Sequence, residues 1–164
     1  MNLPAQIKTE KELEPVLEQS PVNPTEAVYY AIRGHPNVTV LLPGTIGREF
    51  NKTFGHYHKH DEMEQYQVLL GTGLFLMQKR EILNPETDVR AVYFQAGDQV
   101  EIPAGFGHTM INTGLEPVVT QDTAPEEAAE KINDYEPVAA KHGFYYYVVS
   151  EAGETKLVKN SRYD

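Results

Sequence analysis

Three histidines and a glutamate are spaced as a metal-binding set would be. The stretch Gly55-His56-Tyr57-His58-Lys59-His60-Asp61-Glu62-Met63-Glu64 supplies two imidazoles and a carboxylate, and the block from Gly97 through Pro103-Ala104-Gly105 to His108 supplies a third imidazole. Side chains two apart on a strand point the same way, so His56 and His58 face one pocket together. Glu64 lies six positions after His58, far enough to begin a returning strand on which Glu64, Tyr66, Val68 and Leu70 share a face. The Pro103-Ala104-Gly105 turn aims His108 inward. Imidazole nitrogens with one carboxylate suit Fe, Mn, Ni, Zn or Co and do not choose among them. His60, in phase with His58, is the main rival ligand, and Glu62 rivals Glu64. His35 and His142 sit beside loop residues and read as structural.

The elements that must carry these residues are short strands. Runs rich in β-branched and aromatic residues fall at 28–32, 38–42, 65–70, 74–78, 89–94, 99–102, 108–111 and 117–120. Turn signals separate them: Pro43-Gly44, Gly71-Thr72-Gly73, Asn84-Pro85, Ala96-Gly97-Asp98 and Asn112-Thr113-Gly114. Many short strands at close spacing predict a mainly all-β sandwich or closed barrel. Residues 1–26 are polar and broken by Pro4, Pro15, Pro21 and Pro24, which reads as an N-terminal arm with a short helix within 10–19. Residues 27–164 read as one domain, with a barrel core at 36–122 and a tail at 123–160. In the tail, Thr123 as cap, Pro125 and the acids Glu126 and Glu127 open a short helix reaching Ile132. A hairpin of 144–149 and 155–158 about Ala152-Gly153 follows.

Composition narrows the classes. A chain of 164 residues with 40% hydrophobic residues is long enough for one domain with its own core. There is no Cys, which removes disulfides, thiolate metal sites and a thiol nucleophile, and fits a cytoplasmic location. The first residues lack the apolar run of a signal peptide, and no stretch approaches the roughly 20 apolar residues that span a bilayer. The net charge of -10 argues against nucleic acid and membrane partners. A small anionic substrate stays open, because a metal and oriented N–H groups can reverse the potential inside a pocket.

The two blocks resemble the paired motifs of the cupin superfamily. The first keeps the order His56, His58, Glu64, then six residues to Gly71, and the position of Gly71 favours Glu64 over Glu62 as the ligand. Its His-to-Glu gap of five residues is one longer than the usual form, and its leading Gly is displaced to Gly47, with Phe50 in the usual place. The second motif fits without deviation at Gly97, Pro103, Gly105, His108 and Asn112. The resemblance implies a double-stranded β-helix, a jelly-roll barrel with the metal in its mouth, held by His56, His58, Glu64 and His108.

A narrower resemblance covers residues 28–120. Pro43-Gly44, Gly47-Arg48-Glu49-Phe50, Lys52-Thr53-Phe54-Gly55-His56-Tyr57-His58, Glu64-Gln65-Tyr66 and Leu76-Met77-Gln78 resemble the cupin-type glucose-6-phosphate isomerases best known from archaea. Those proteins often carry six residues between the second His and the Glu. Some also place a His near the substrate where this chain has Asn133 before Asp134-Tyr135. The resemblance implies a cytoplasmic homodimer of glycolysis and gluconeogenesis with one divalent ion per subunit, iron first among Fe, Mn, Ni, Zn and Co. It places phosphate contacts at Thr39, Thr53 and the Gly55 backbone. Gly55 makes physical sense there, since a residue without Cβ lets the backbone approach a ligand. Glu64 is the expected ligand and base together. Tyr66, in phase with Glu64, is placed to hydrogen-bond a sugar hydroxyl, whereas Lys52 alternates with Thr53 and points away. Two other readings use the same ligand set: a cupin dioxygenase, which needs an apolar pocket, and a non-catalytic sugar-binding cupin.

Overall fold

In the computed structural model, residues 5–59, 61–124 and 132–164 are described. The first half of the chain forms β1 (Ala5–Thr9), α1 (Glu10–Leu13), β2 (Ala27–Ile32), β3 (Asn37–Leu41), β4 (Thr45–Ile46), β5 (Glu49–Phe50), β6 (Tyr57–His58), β7 (Glu64–Leu70) and β8 (Thr72–Lys79). Then come α2 (Pro85–Asp88), β9 (Val89–Gln95), β10 (Gln99–Ile102), β11 (Phe106–Asn112), β12 (Val118–Asp122), β13 (Asn133–Asp134), α3 (Glu136–Ala140), β14 (Tyr146–Glu151) and β15 (Glu154–Lys159).

One wall is an antiparallel sheet in the order β1-β2-β3-β12-β7-β10. The facing wall is built on β11-β8-β9, extended by β6 with β13 and by β4, β5, β14 and β15. Bridges from Lys52 to Ile111 and from His56 to His108 lay the chain between β5 and β6 along β11 and join these pieces. The core fills the space between the walls with Leu41, Val68, Phe75, Phe94, Ile102 and Ile111. This is the mainly all-β cupin barrel expected, and the predicted strands are present.

Local sequence explains the strands that matter. β7 alternates: Glu64, Tyr66 and Val68 are buried, while Gln65 and Gln67 are half-buried on the outer side. β8 is buried from Gly73 to Gln78 because both of its faces are covered. Gln78 shows how: its side chain reaches outward to donate to the Tyr57 and Tyr163 hydroxyls at 2.7 and 3.0 Å and to accept the Tyr145 N–H at 2.8 Å. The tail hairpin turns at Ala152-Gly153 with φ of 52° and 77°, the two positive values a tight two-residue hairpin needs.

Several elements differ from expectation. Within the segment read as an arm, residues 5–9 form an edge strand paired with β2. The helix expected within 10–19 is only α1, capped by Thr9 in a capping box, followed by a 3-10 turn at Glu14–Val16. Pro15 has no N–H to return to the Lys11 carbonyl, so the α-helix stops before it. The strand expected at 117–120 is shifted and runs on to Asp122. The tail helix expected up to Ile132 falls on 125–131, outside the described residues, as does His60. Among the described residues no helix is long and apolar enough to cross a membrane.

Candidate metal centre

The strand leading into the histidines carries an irregularity that sets their direction. Lys52 bridges Ile111 and His56 bridges His108, four steps on one side against three on the other. One extra residue is therefore absorbed at 53–55, a bulge. Gly55 sits in it with φ of 83°, and a Cβ there would collide with the Phe144 ring and lie 3.0 Å from Thr109 Cβ. Regular alternation would put Thr53 and His56 on opposite faces. The extra residue brings both into one pocket. Lys52 faces away from it, 2.6 Å from Glu49 Oε2 and donating to the Val16 carbonyl at 2.5 Å.

Beyond the bulge the four expected ligands converge. His58 Nε2 and His108 Nε2 are 3.2 Å apart, and Glu64 Oε2 lies 3.1 and 3.0 Å from them. One ligand atom from each of His56, His58, Glu64 and His108 falls within 4.8 Å of the others. Donors bound at about 2.0–2.2 Å to one ion stand about 3 Å apart when adjacent, so the spacing fits a shared ion. His56 Nε2 is buried with no hydrogen-bond partner among the described residues, as a lone pair reserved for a metal would be. Glu64 enters from the six-stranded wall at the start of β7, and the three imidazoles come from the opposite wall. Glu62 is exposed and stands outside the cluster.

The surroundings tune these groups. Burial, with the His108 ring beside it, pushes His56 well below its ordinary pKa, so the imidazole is neutral and free to ligate. Burial alone would raise the Glu64 carboxyl, but the His108 and His58 rings outweigh it and hold the group well below the usual carboxylate range. Behind His58, Arg80 donates to its carbonyl at 3.1 Å and to Asp134 at 2.8 Å, while β13 pairs Asn133 with His58. The tail thus pins the strand that carries a ligand.

The cluster opens into a cavity with about 720 Å³ of empty space, its mouth included. Thr39, Thr53, Gly55 and Tyr66 all line it, together with His56, Glu64 and His108. Thr53 Oγ1 accepts the Met110 N–H at 3.0 Å. Tyr66 is buried with its ring 5.5 Å from that of His108, and burial keeps its phenol well above the ordinary pKa, hence a neutral O–H. Tyr145, Tyr146 and Tyr147 are not among the lining residues.

Sequence reasoning missed Tyr29, Arg33, Asn37, Asp122 and Tyr135, which also line the cavity. Register shows how they get there. Asp122 pairs with Asn37 and with Tyr66, forming one row across the wall, and Ala31–Thr39–Thr120–Val68 forms the next. Ending β12 at residue 120 hid Asp122, although its phase with Thr120 was a usable signal. Burial and the nearby Glu64 charge raise the Asp122 pKa. The Tyr135 ring stands 5.4 Å from that of His56, and its hydroxyl accepts the Asn133 amide at 3.1 Å.

A cupin barrel with a three-histidine, one-glutamate site that can hold a metal ion is the class that fold and geometry define. The chain belongs to the glucose-6-phosphate isomerase (GPI) family, whose sequence model matches residues 16–164. It is similar to the glucose-6-phosphate isomerase of Pyrococcus horikoshii, 39% identical over 126 residues, covering 76% of this chain and 62% of that one. That of Pyrococcus furiosus is 38% identical over the same shares. The chain therefore spans about three fifths of the length of these curated relatives. Among solved structures it is similar to a predicted oxalate decarboxylase from Thermotoga maritima, with a TM-score of 0.47, 17% identity, and coverage of 74% of this chain and 90% of that one.

Proposed function

We propose that the chain is a metal-dependent aldose–ketose isomerase interconverting glucose 6-phosphate and fructose 6-phosphate. The observation that carries this reading is one cavity that reaches the four-ligand cluster through His56, Glu64 and His108 and also presents a set of hydroxyl and backbone donors, Thr39, Thr53, Gly55 and Tyr66. In this reading His56, His58, Glu64 and His108 hold one divalent ion, iron first among Fe, Mn, Ni, Zn and Co. An ion held there would supply Lewis-acid chemistry toward the substrate's carbonyl and neighbouring hydroxyl oxygens, stabilising developing oxyanion charge.

The chain's own groups do the rest. Glu64 Oε2 faces the imidazoles. Its other oxygen, Oε1, takes the proton from one of the two reacting carbons and returns it to the other. Ligation and basicity compete, because a bound cation lowers a carboxylate's affinity for protons. Glu64 would accordingly act as base through the oxygen that does not face the imidazoles. Tyr66 donates its neutral O–H to a sugar hydroxyl, and Thr39, Thr53 and the Gly55 N–H orient the phosphate. A hydride shift between the two carbons is the other route to the same product and would leave Glu64 only a ligand.

The same reading takes 27–164 as a single cupin domain that the N-terminal segment joins through β1, working as a cytoplasmic homodimer in glycolysis and gluconeogenesis, without nucleic acid or membrane partners. A coupled assay for glucose 6-phosphate formed from fructose 6-phosphate tests the activity, on protein as isolated, after chelation, and after adding back Fe, Mn, Ni, Zn or Co. Activity lost on chelation and restored by an ion supports the reading. No turnover with any ion in a loaded site overturns it, and oxygen uptake would then point to a dioxygenase.

A further inference from the structure

We infer that Arg33 is the charged contact for the substrate's phosphate, adding a guanidinium to the uncharged donors at Thr39, Thr53 and Gly55. This rests on the sugar-phosphate reading of the cavity. Arg33 directly follows β2 and continues the alternation Tyr29, Ala31, Arg33, three residues that all line the cavity. Ala31 pairs with Thr39, so Arg33 stands about 7 Å further along the same face, within the span of its own side chain.

Charge supplies the second argument. A phosphate dianion entering a chain of net charge -10, into a cavity that also holds Glu64 and Asp122, is favoured by a cation beyond the metal. Lys8 lines the cavity but pairs with Glu12 at 3.6 Å. Arg33 lines it with no ion pair or hydrogen bond among the described residues. A planar guanidinium presents two parallel N–H donors to a phosphate, which a hydroxyl cannot do. The position is also invisible to motif matching, because it lies at the end of β2, ahead of both histidine blocks.

The test compares the metal-loaded full chain with Arg33→Gln and Arg33→Lys. Measured are kcat and KM for fructose 6-phosphate, calorimetric affinity for inorganic phosphate, metal content and melting temperature. Arg33→Gln is expected to raise KM and weaken phosphate binding by roughly tenfold or more, with kcat within about threefold of the parent and metal content unchanged. Arg33→Lys, which keeps the charge and loses the fork, falls between. KM and phosphate affinity within about twofold of the parent in Arg33→Gln overturn the assignment. If Arg33→Gln fails to fold, Arg33→Lys decides: a shift in both constants supports the role and none removes it. A parent that binds phosphate but turns over no sugar phosphate sinks the isomerase reading alone, and the calorimetric arm still judges Arg33.

Discussion

Glu64 is the residue on which ligation and chemistry meet, and the two can be separated by one oxygen-for-nitrogen exchange. Glu64→Gln keeps the size and an oxygen donor but cannot take a proton. We expect kcat to fall by about a hundredfold or more while affinity for fructose 6-phosphate changes much less. Retained kcat in that variant would assign proton movement elsewhere and favour a hydride shift. His108 has a different role, because its Nε2 lies 3.2 Å from His58 Nε2 and 3.0 Å from Glu64 Oε2. Removing it takes away the ligand contributed by β11. His108→Ala should leave the barrel folded but purify with far less bound metal, as elemental analysis would read. Unchanged metal content would mean a different ligand set, with His60 the first candidate.

At the scale of elements, the bulge at 53–55 makes a cavity wall out of an ordinary strand. Gly55 and Gly105 both have positive φ, at 83° and 86°, but an added Cβ meets the Phe144 ring and Thr109 at the first and nothing within 4 Å at the second. Gly105→Ala therefore bears only the conformational strain, about 1–3 kcal/mol. Gly55→Ala adds a collision that only a shift of the His56 strand relieves. It should melt at lower temperature than Gly105→Ala and lose metal as well; equal melting and metal content in the two variants would refute the role given to the bulge. A second element is held by charge. Asp88 accepts the Leu83 and Asn84 N–H groups at 3.0 and 2.9 Å and pairs with Lys79 at 2.9 Å. The Asn84 amide and then Lys79 hold its carboxyl well below the usual range. A folded pKa below the unfolded value of about 3.9 means stabilisation that is fully present above that pH and lost as pH falls toward the folded value. Asp88→Asn should thus lower the urea midpoint at pH 7, and the gap to the parent should close as the pH drops below about 4. A gap independent of pH would count against the Asp88 contacts.

For the whole molecule, the metal cluster ties two walls together, since one ligand comes from the six-stranded sheet and three from the other. An ion bound only by the folded barrel stabilises it by about 2.7 kcal/mol at a hundredfold excess over its Kd, which is about 5–10 °C in melting temperature for a domain of this size. Chelation should lower the melting temperature by that order, and each competent ion should restore it. A melting temperature indifferent to chelator and ions would mean that the cluster holds no metal in the folded chain. The sequence by itself determined the strand pattern, the cupin barrel and the four residues that converge, because alternation and the Gly/Pro/His spacings are local and each reports a direction for its side chain. Glu64 over Glu62 was implied by the cupin resemblance, through the distance to Gly71. Tertiary structure alone decided what else faces the cavity. Arg33 and Asn37 flank the turn between β2 and β3 and Asp122 ends β12, and only the pairing register sets Asp122 beside them. The edge strand at 5–9 was hidden because its hydrogen bonds are made to β2, not to its own neighbours. The bulge was hidden too, because it is a mismatch between two strands, and neither strand carries a mismatch when read alone.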